Sequence, residues 1–142
     1  MRALLDVNVL IALLDADHSL HQRATRWFAD HARAGWASCP ITQNGCLRIM
    51  SHPGYPNALP VRAVAERLAE AAAGDLHEFW ADDVSLIDAR VATAGRIHGP
   101  RQVTDVYLLA LATCHRGRFV TFDAAVSREA VVGADANHLL VI

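Results

Sequence analysis

Short apolar runs alternate along this chain with longer stretches of helical period. Residues 2–5 (Arg2-Ala3-Leu4-Leu5) form a mostly apolar run that stops at Asp6, which predicts a buried strand. Asn8 is then placed to cap a helix through Leu10, Leu13 and Leu14. A second helix is predicted over about residues 19–33, with Leu20, Ala24, Trp27 and Phe28 on one face and Arg23, Arg26, Asp30 and Arg33 elsewhere. Gly35 ends it, and Trp36-Ala37-Ser38-Cys39 has the look of a second strand. Pro40 suits the first turn of a helix running to about Met50. The Pro- and Gly-rich stretch His52-Pro53-Gly54-Tyr55-Pro56-Asn57 is a loop, and residues 61–73 are an amphipathic helix with Val61, Val64 and Leu68 at helical spacing.

In the second half, His77-Glu78-Phe79-Trp80 predicts a third strand and residues 88–95 a helix, followed by a loop at His98-Gly99-Pro100. Thr104 opens a strongly apolar helix through Tyr107, Leu108, Leu111 and Ala112, which Gly117 stops. The run 118–122 predicts a strand ending at Asp123; a short helix and a strand over 139–142 follow. This alternation predicts an α/β fold in which a mainly parallel sheet of about five strands is flanked by helices.

At 142 residues the chain suits a single domain spanning 1–142, and 53% hydrophobic content is enough for a core. No apolar run approaches the ~20 residues of a membrane span. An acidic residue at position 6 comes too early for a secretory leader, so a cytoplasmic protein is expected. Cys39, Cys46 and Cys114 form no CxxC pair; Cys46 and Cys114 sit in apolar helical stretches and are expected to be buried thiols. All 13 basic residues are Arg and none is Lys.

The chemistry is at the strand ends. In an open parallel sheet, ligands bind beyond the carboxyl ends of the strands. Asp6 and Asp123 each follow an apolar strand at that edge, and Asp105 sits in the first turn of the helix leading into the second of them. Any one of these could simply cap a helix. Three at one edge repel each other unless a cation is present. A hard divalent ion takes oxygen ligands and suits phosphoryl chemistry. Asp82-Asp83 read as capping or turn residues, and Asp15, Asp17 and Asp30 as solvated; His18 and His21 lack a third ligand.

Four ordered segments carry a resemblance: Leu4-Leu5-Asp6-Val7-Asn8-Val9-Leu10-Ile11-Ala12, Pro40-Ile41-Thr42-Gln43-Asn44-Gly45-Cys46-Leu47-Arg48-Ile49-Met50, Val103-Thr104-Asp105-Val106-Tyr107-Leu108-Leu109-Ala110-Leu111-Ala112 and Val120-Thr121-Phe122-Asp123. Together they resemble the PIN-domain family, and within it the VapC toxins of VapBC toxin–antitoxin pairs. The resemblance implies a three-layer PIN-like fold, a Mg²⁺- or Mn²⁺-dependent endoribonuclease and a homodimer. It also implies a small VapB-type antitoxin whose tail covers the active cleft. By position, Asp6, Asp105 and Asp123 are implied as metal-binding and catalytic, with Asn8 and Thr104 orienting carboxylates or water.

One position departs from the family pattern. The helix after the second strand usually carries a glutamate where this chain has Gln43. An amide keeps the size but loses the charge and cannot act as a base, so metal affinity and rate are both expected to fall. Arg96, Arg101, Arg116 and Arg118, which flank the Asp105 helix and the Asp123 strand, are the candidates for holding an RNA backbone. Tyr55 is a candidate for stacking on a base. Trp27 and Phe28 belong either to the core or to an antitoxin groove against the first two helices.

Two rival readings are weighed. A phosphotransfer domain also places an aspartate after its first strand, but a receiver needs a lysine, absent here, and the phosphatase pattern needs Asp-x-Asp where this chain has Asp6-x-Asn8. A catalytically crippled PIN-like module that binds RNA or antitoxin without cleaving draws its support from Gln43.

Overall fold

The computed structural model describes all residues, Met1–Ile142. Five strands, β1 (Ala3–Leu5), β2 (Trp36–Ser38), β3 (His77–Phe79), β4 (Arg118–Thr121) and β5 (Leu139–Val141), form one sheet in the order β3-β2-β1-β4-β5. Every neighbouring pair is parallel. Five α-helices accompany them: α1 (Val7–Leu14), α2 (His21–His31), α3 (Pro40–Met50), α4 (Val61–Ala72) and α5 (Val103–Cys114).

The pleat divides the strand residues between two cores. Ala3 and Leu5 of β1, Trp36 of β2 and Val120 of β4 pack with Val9, Leu10 and Ile11 of α1, Cys46 and Met50 of α3, and Val64 and Leu68 of α4. Leu4, Ala37 and Phe119 point the other way, into a second core built on α5 and on Trp80, Ala130 and Val131. Both faces of β1, β2 and β4 are therefore covered, and these strands lack an exposed polar side for that reason. The result is a three-layer α/β/α sandwich with β1 at the centre of the sheet.

Several sequence expectations are corrected. Asp6 caps α1 and Asn8 does not: Asp6 has extended backbone angles (φ −60°, ψ 154°) and its side chain accepts from the Val7 amide, whereas Asn8 is already inside the helix. The helix predicted over residues 88–95 is absent. Only a 3-10 turn at Ala94–Arg96 forms there, because the backbone is taken up by residues distant in sequence. Thr93 donates to the Ala130 carbonyl, Val132 donates to Val91, and Ala92 bridges Val131 in antiparallel fashion. The later short helix is likewise one 3-10 turn, Arg128–Ala130. Asp82 and Asp83 cap no helix; they lie in an irregular exposed stretch after β3. Cys39 and Cys46 are buried, but Cys114 at the end of α5 is exposed.

Candidate active site at the carboxyl edge of the sheet

Parallel strands β1 and β4 end side by side, and their ends carry the acidic residues. The Asp6 amide donates to the Val120 carbonyl (2.9 Å), which extends the ladder one residue past β1. Asp6 is 7% exposed. Its Oδ1 accepts from the Val7 amide (2.7 Å) and its Oδ2 from the Thr121 hydroxyl (2.7 Å). Burial raises the Asp6 carboxyl above its ordinary value; the hydrogen bonds from Thr121 and Val7 oppose this, and the charge on Asp123 adds to it.

Thr121 is the joint of this edge. While donating to Asp6, its Oγ1 accepts from the Asp123 amide at 3.1 Å, so one buried hydroxyl sets the positions of two acids. Asp123 is exposed, and its Oδ1 accepts from the Ala125 amide (2.7 Å), closing a tight turn. Asp105, half-buried in the first turn of α5, is pushed up to about 6 by burial, then by the charges on Asp6 and Asp123. The three aspartates thus share one electrostatic environment in which negative charge is crowded.

No three side chains among His, Cys, Asp and Glu are set to grip a single ion directly. The donor set, oxygen-only and short of positive charge, fits a hard cation that keeps most of its water. Mg²⁺ prefers such sites, since it dehydrates reluctantly and takes only one or two carboxylates. Asp6, Asp105 and Asp123 are the residues that could hold it.

Other candidates are distributed unequally. Gln43 lies in the first turns of α3, at the same end of the molecule, but its Nε2 donates to Ser38 Oγ (3.0 Å) and not to an aspartate. Asn8 and Thr104 are exposed next to Val7 and Asp105, with no side-chain partner in the protein. Arg101 lies in the 3-10 turn Pro100–Gln102 that leads into α5, and Gln102 ties this turn to the Asp123 loop through the Ala125 carbonyl (2.7 Å). Arg96 meets the same loop, its carbonyl accepting from Ser127 Oγ (3.0 Å).

Arg116 and Arg118 are not brought to the acids. Arg116 follows the far end of α5, a helix ~18 Å long. Arg118 opens β4 at the amino edge of the sheet and donates to the Asn137 carbonyl (2.8 Å). Tyr55 is also remote: its hydroxyl donates to Asp15, just beyond the end of α1, so that Asp15 is not simply solvated. Phe28 lines an apolar groove of about 360 Å³ together with Leu10, Leu13, Leu14, Trp36 and Leu68. Thr121, Ser38 and His77 were not singled out by sequence. For Thr121 the available signal was a hydroxyl two residues before the strand-end aspartate.

Comparisons with known proteins bear on the family and the fold. The PIN domain profile matches residues 3–131. The chain is 52% identical over 142 residues to ribonuclease VapC44 of Mycobacterium tuberculosis, covering all of both chains. It is 43% identical over 134 residues to ribonuclease VapC39 of the same organism (94% of this chain, 96% of the relative). Among solved structures, VapBC2 from Rickettsia felis, crystallised on a DNA fragment from its promoter, superposes with a TM-score of 0.59. The superposition covers 87% of this chain and 89% of that one at 10% identity, a likeness of fold. With its all-parallel sheet, its acidic carboxyl edge and full-length identity to VapC proteins, the chain belongs to the PIN-domain family.

Proposed function

We propose that this protein is the toxin of a type II toxin–antitoxin pair and acts as a divalent-metal-dependent endoribonuclease, with Mg²⁺ or Mn²⁺ as the metal. The observation that carries the reading is the convergence of Asp6, Asp105 and Asp123 at one sheet edge, in a chain 52% identical throughout to a ribonuclease. The bound metal would polarise the scissile phosphate and lower the pKa of a water that attacks it. The chain's own residues supply the rest. Asp6, held by Thr121 and Val7, is the fixed carboxylate. Asp105, half-buried and raised to about 6, is mostly ionised at neutral pH, and a nearby positive charge would lower its pKa again. Arg101 and Arg96 stand on the loops bordering this edge and supply cations for the phosphate backbone.

The proposed partner is a VapB-type antitoxin. The apolar groove lined by Leu10 and Leu14 of α1, Phe28 of α2 and Leu68 of α4 supports an amphipathic segment docking there. The proposal includes a homodimer and a cytoplasmic location. No helix is long and apolar enough to cross a membrane.

The test is cleavage of a structured RNA by purified protein with Mg²⁺ and with chelator, alongside Asp105→Asn. Cleavage that needs metal and Asp105 is the expected result. A second reading, a non-cleaving module that holds RNA or antitoxin, is favoured by the neutral side chain at position 43. It is the conclusion if well-folded protein binds antitoxin but leaves RNA intact under every metal tried.

A further inference from the structure

Position 43 has its own hydrogen-bonded surroundings. Gln43 Nε2 donates to Ser38 Oγ at 3.0 Å, and Ser38 Oγ lies 2.8 Å from His77 Nε2. Ser38 is fully buried at the end of β2, and His77 opens β3 beside it, its ring 4.4 Å from that of Trp36. With Gln43 Nε2 donating to it, the buried Ser38 hydroxyl has His77 Nε2 as the acceptor for its own proton, so a neutral His77 meets Ser38 with its lone pair. The Ser38 hydroxyl has one proton, which then goes to His77. Its oxygen is left to accept, and the group facing it must be a donor. An amide supplies that donor; a carboxylate does not.

We propose that Gln43 is a positioning residue, the head of a one-way hydrogen-bond chain Gln43→Ser38→His77, and that this sheet edge is built for an amide at position 43. The chain links the first turns of α3 to β2 and β3. It thereby fixes the strand next to β1, whose end carries Asp6. On this account Gln43 serves the hydrogen-bond chain, and placing a carboxylate there carries a cost whatever it does for metal binding. Ser38 would have to choose between Glu and His77, and one buried polar group would lose its partner. This inference concerns hydrogen bonds within the chain and stands whether or not the protein cleaves RNA.

Two-bond ¹H–¹⁵N NMR of the histidine rings, with selective assignment of His77, tests it in metal-free protein at neutral pH. The wild type is expected to show His77 Nε2 as an unprotonated acceptor and Nδ1 as the protonated nitrogen. In Gln43→Glu, Nε2 is expected to become protonated, because the carboxylate draws the Ser38 proton and His77 must donate. An Nε2 already protonated in the wild type, or an Nε2 signal unchanged in Gln43→Glu, overturns the proposal regardless of any change in Mn²⁺ affinity. Should Gln43→Glu fail to fold, Ser38→Ala carries the same test. It is expected to move the His77 Nε2 signal and to speed solvent exchange of the Gln43 side-chain amide by at least tenfold; no change in either overturns the proposal.

Discussion

Thr121 Oγ1 and Asp6 Oδ2 meet at 2.7 Å across 115 residues of sequence, and this contact joins the ends of β1 and β4. A hydroxyl at this point does what no apolar side chain of similar size can, because it supplies a proton to a carboxylate removed from water. Thr121→Val is therefore expected to lower stability by about 1–3 kcal/mol, the usual cost of an orphaned buried partner. It should also weaken Mn²⁺ binding roughly tenfold by releasing Asp6 and the Asp123 amide. Thr121→Ser should recover most of both losses. Urea unfolding and a Mn²⁺ titration of the three proteins read the outcome.

Asp105 makes the metal-free protein sensitive to pH. Its carboxyl moves from an ordinary 3.8 to about 6 on folding. Between those values the folded chain holds a proton that the unfolded chain has released, so this group's effect on stability worsens as pH rises through that window and stays unfavourable above it. A shift of that size is ~3 kcal/mol in full, and the half-exposed setting cuts it to about 1 kcal/mol. Asp105→Asn is thus expected to raise the metal-free Tm near pH 7.5 by ~3 °C and to leave it unchanged near pH 4. The same variant should lose RNA cleavage roughly 100-fold or more. Calorimetry across pH separates the two effects.

The arginines divide by edge. Arg101→Ala is expected to weaken RNA binding several-fold and to reduce the salt slope by about one unit. Arg116→Ala, at the opposite edge, should alter neither. Arg118→Ala should cost stability through its bond to Asn137 while leaving the salt slope intact. Fluorescence binding isotherms at several salt concentrations distinguish the three.

Gly45 is where α3 crosses α1. A Cβ at this position would sit 2.6 Å from Val7 Cγ2 and 2.9 Å from Val7 Cγ1. Gly45→Ala is expected to destabilise by about 1–3 kcal/mol despite better helix propensity, because the two helices must separate. Val7→Ala in the same chain should return part of that loss, giving a favourable coupling in a double-mutant cycle.

What was legible in the sequence was local. Runs buried on both faces announce themselves without any partner, so β1, β2 and β4 and the aspartates ending two of them could be placed from residues alone. The segment 88–95 was not legible, because Thr93 and Val91 find their partners at Ala130 and Val132. Asp6 and Asn8 are both good capping residues, and only the point at which β1 stops pairing with β4 decides between them. Cys114 was misplaced because α5 is buried along most of its length but emerges at its last turn. Ser38 and His77 come together only when β2 pairs with β3, a registry that no spacing records.

The central place of β1 also shapes how this protein comes off the ribosome. Strand β1 is synthesised well before β4, yet β4 is one of its two neighbours. Until residues 118–123 have emerged, Asp6 has no Thr121 hydroxyl to hold it and Asp123 is not beside it. A partly translated chain therefore carries an incomplete nuclease, and the cell meets the finished edge only after a long-range closure of the kind that folds late.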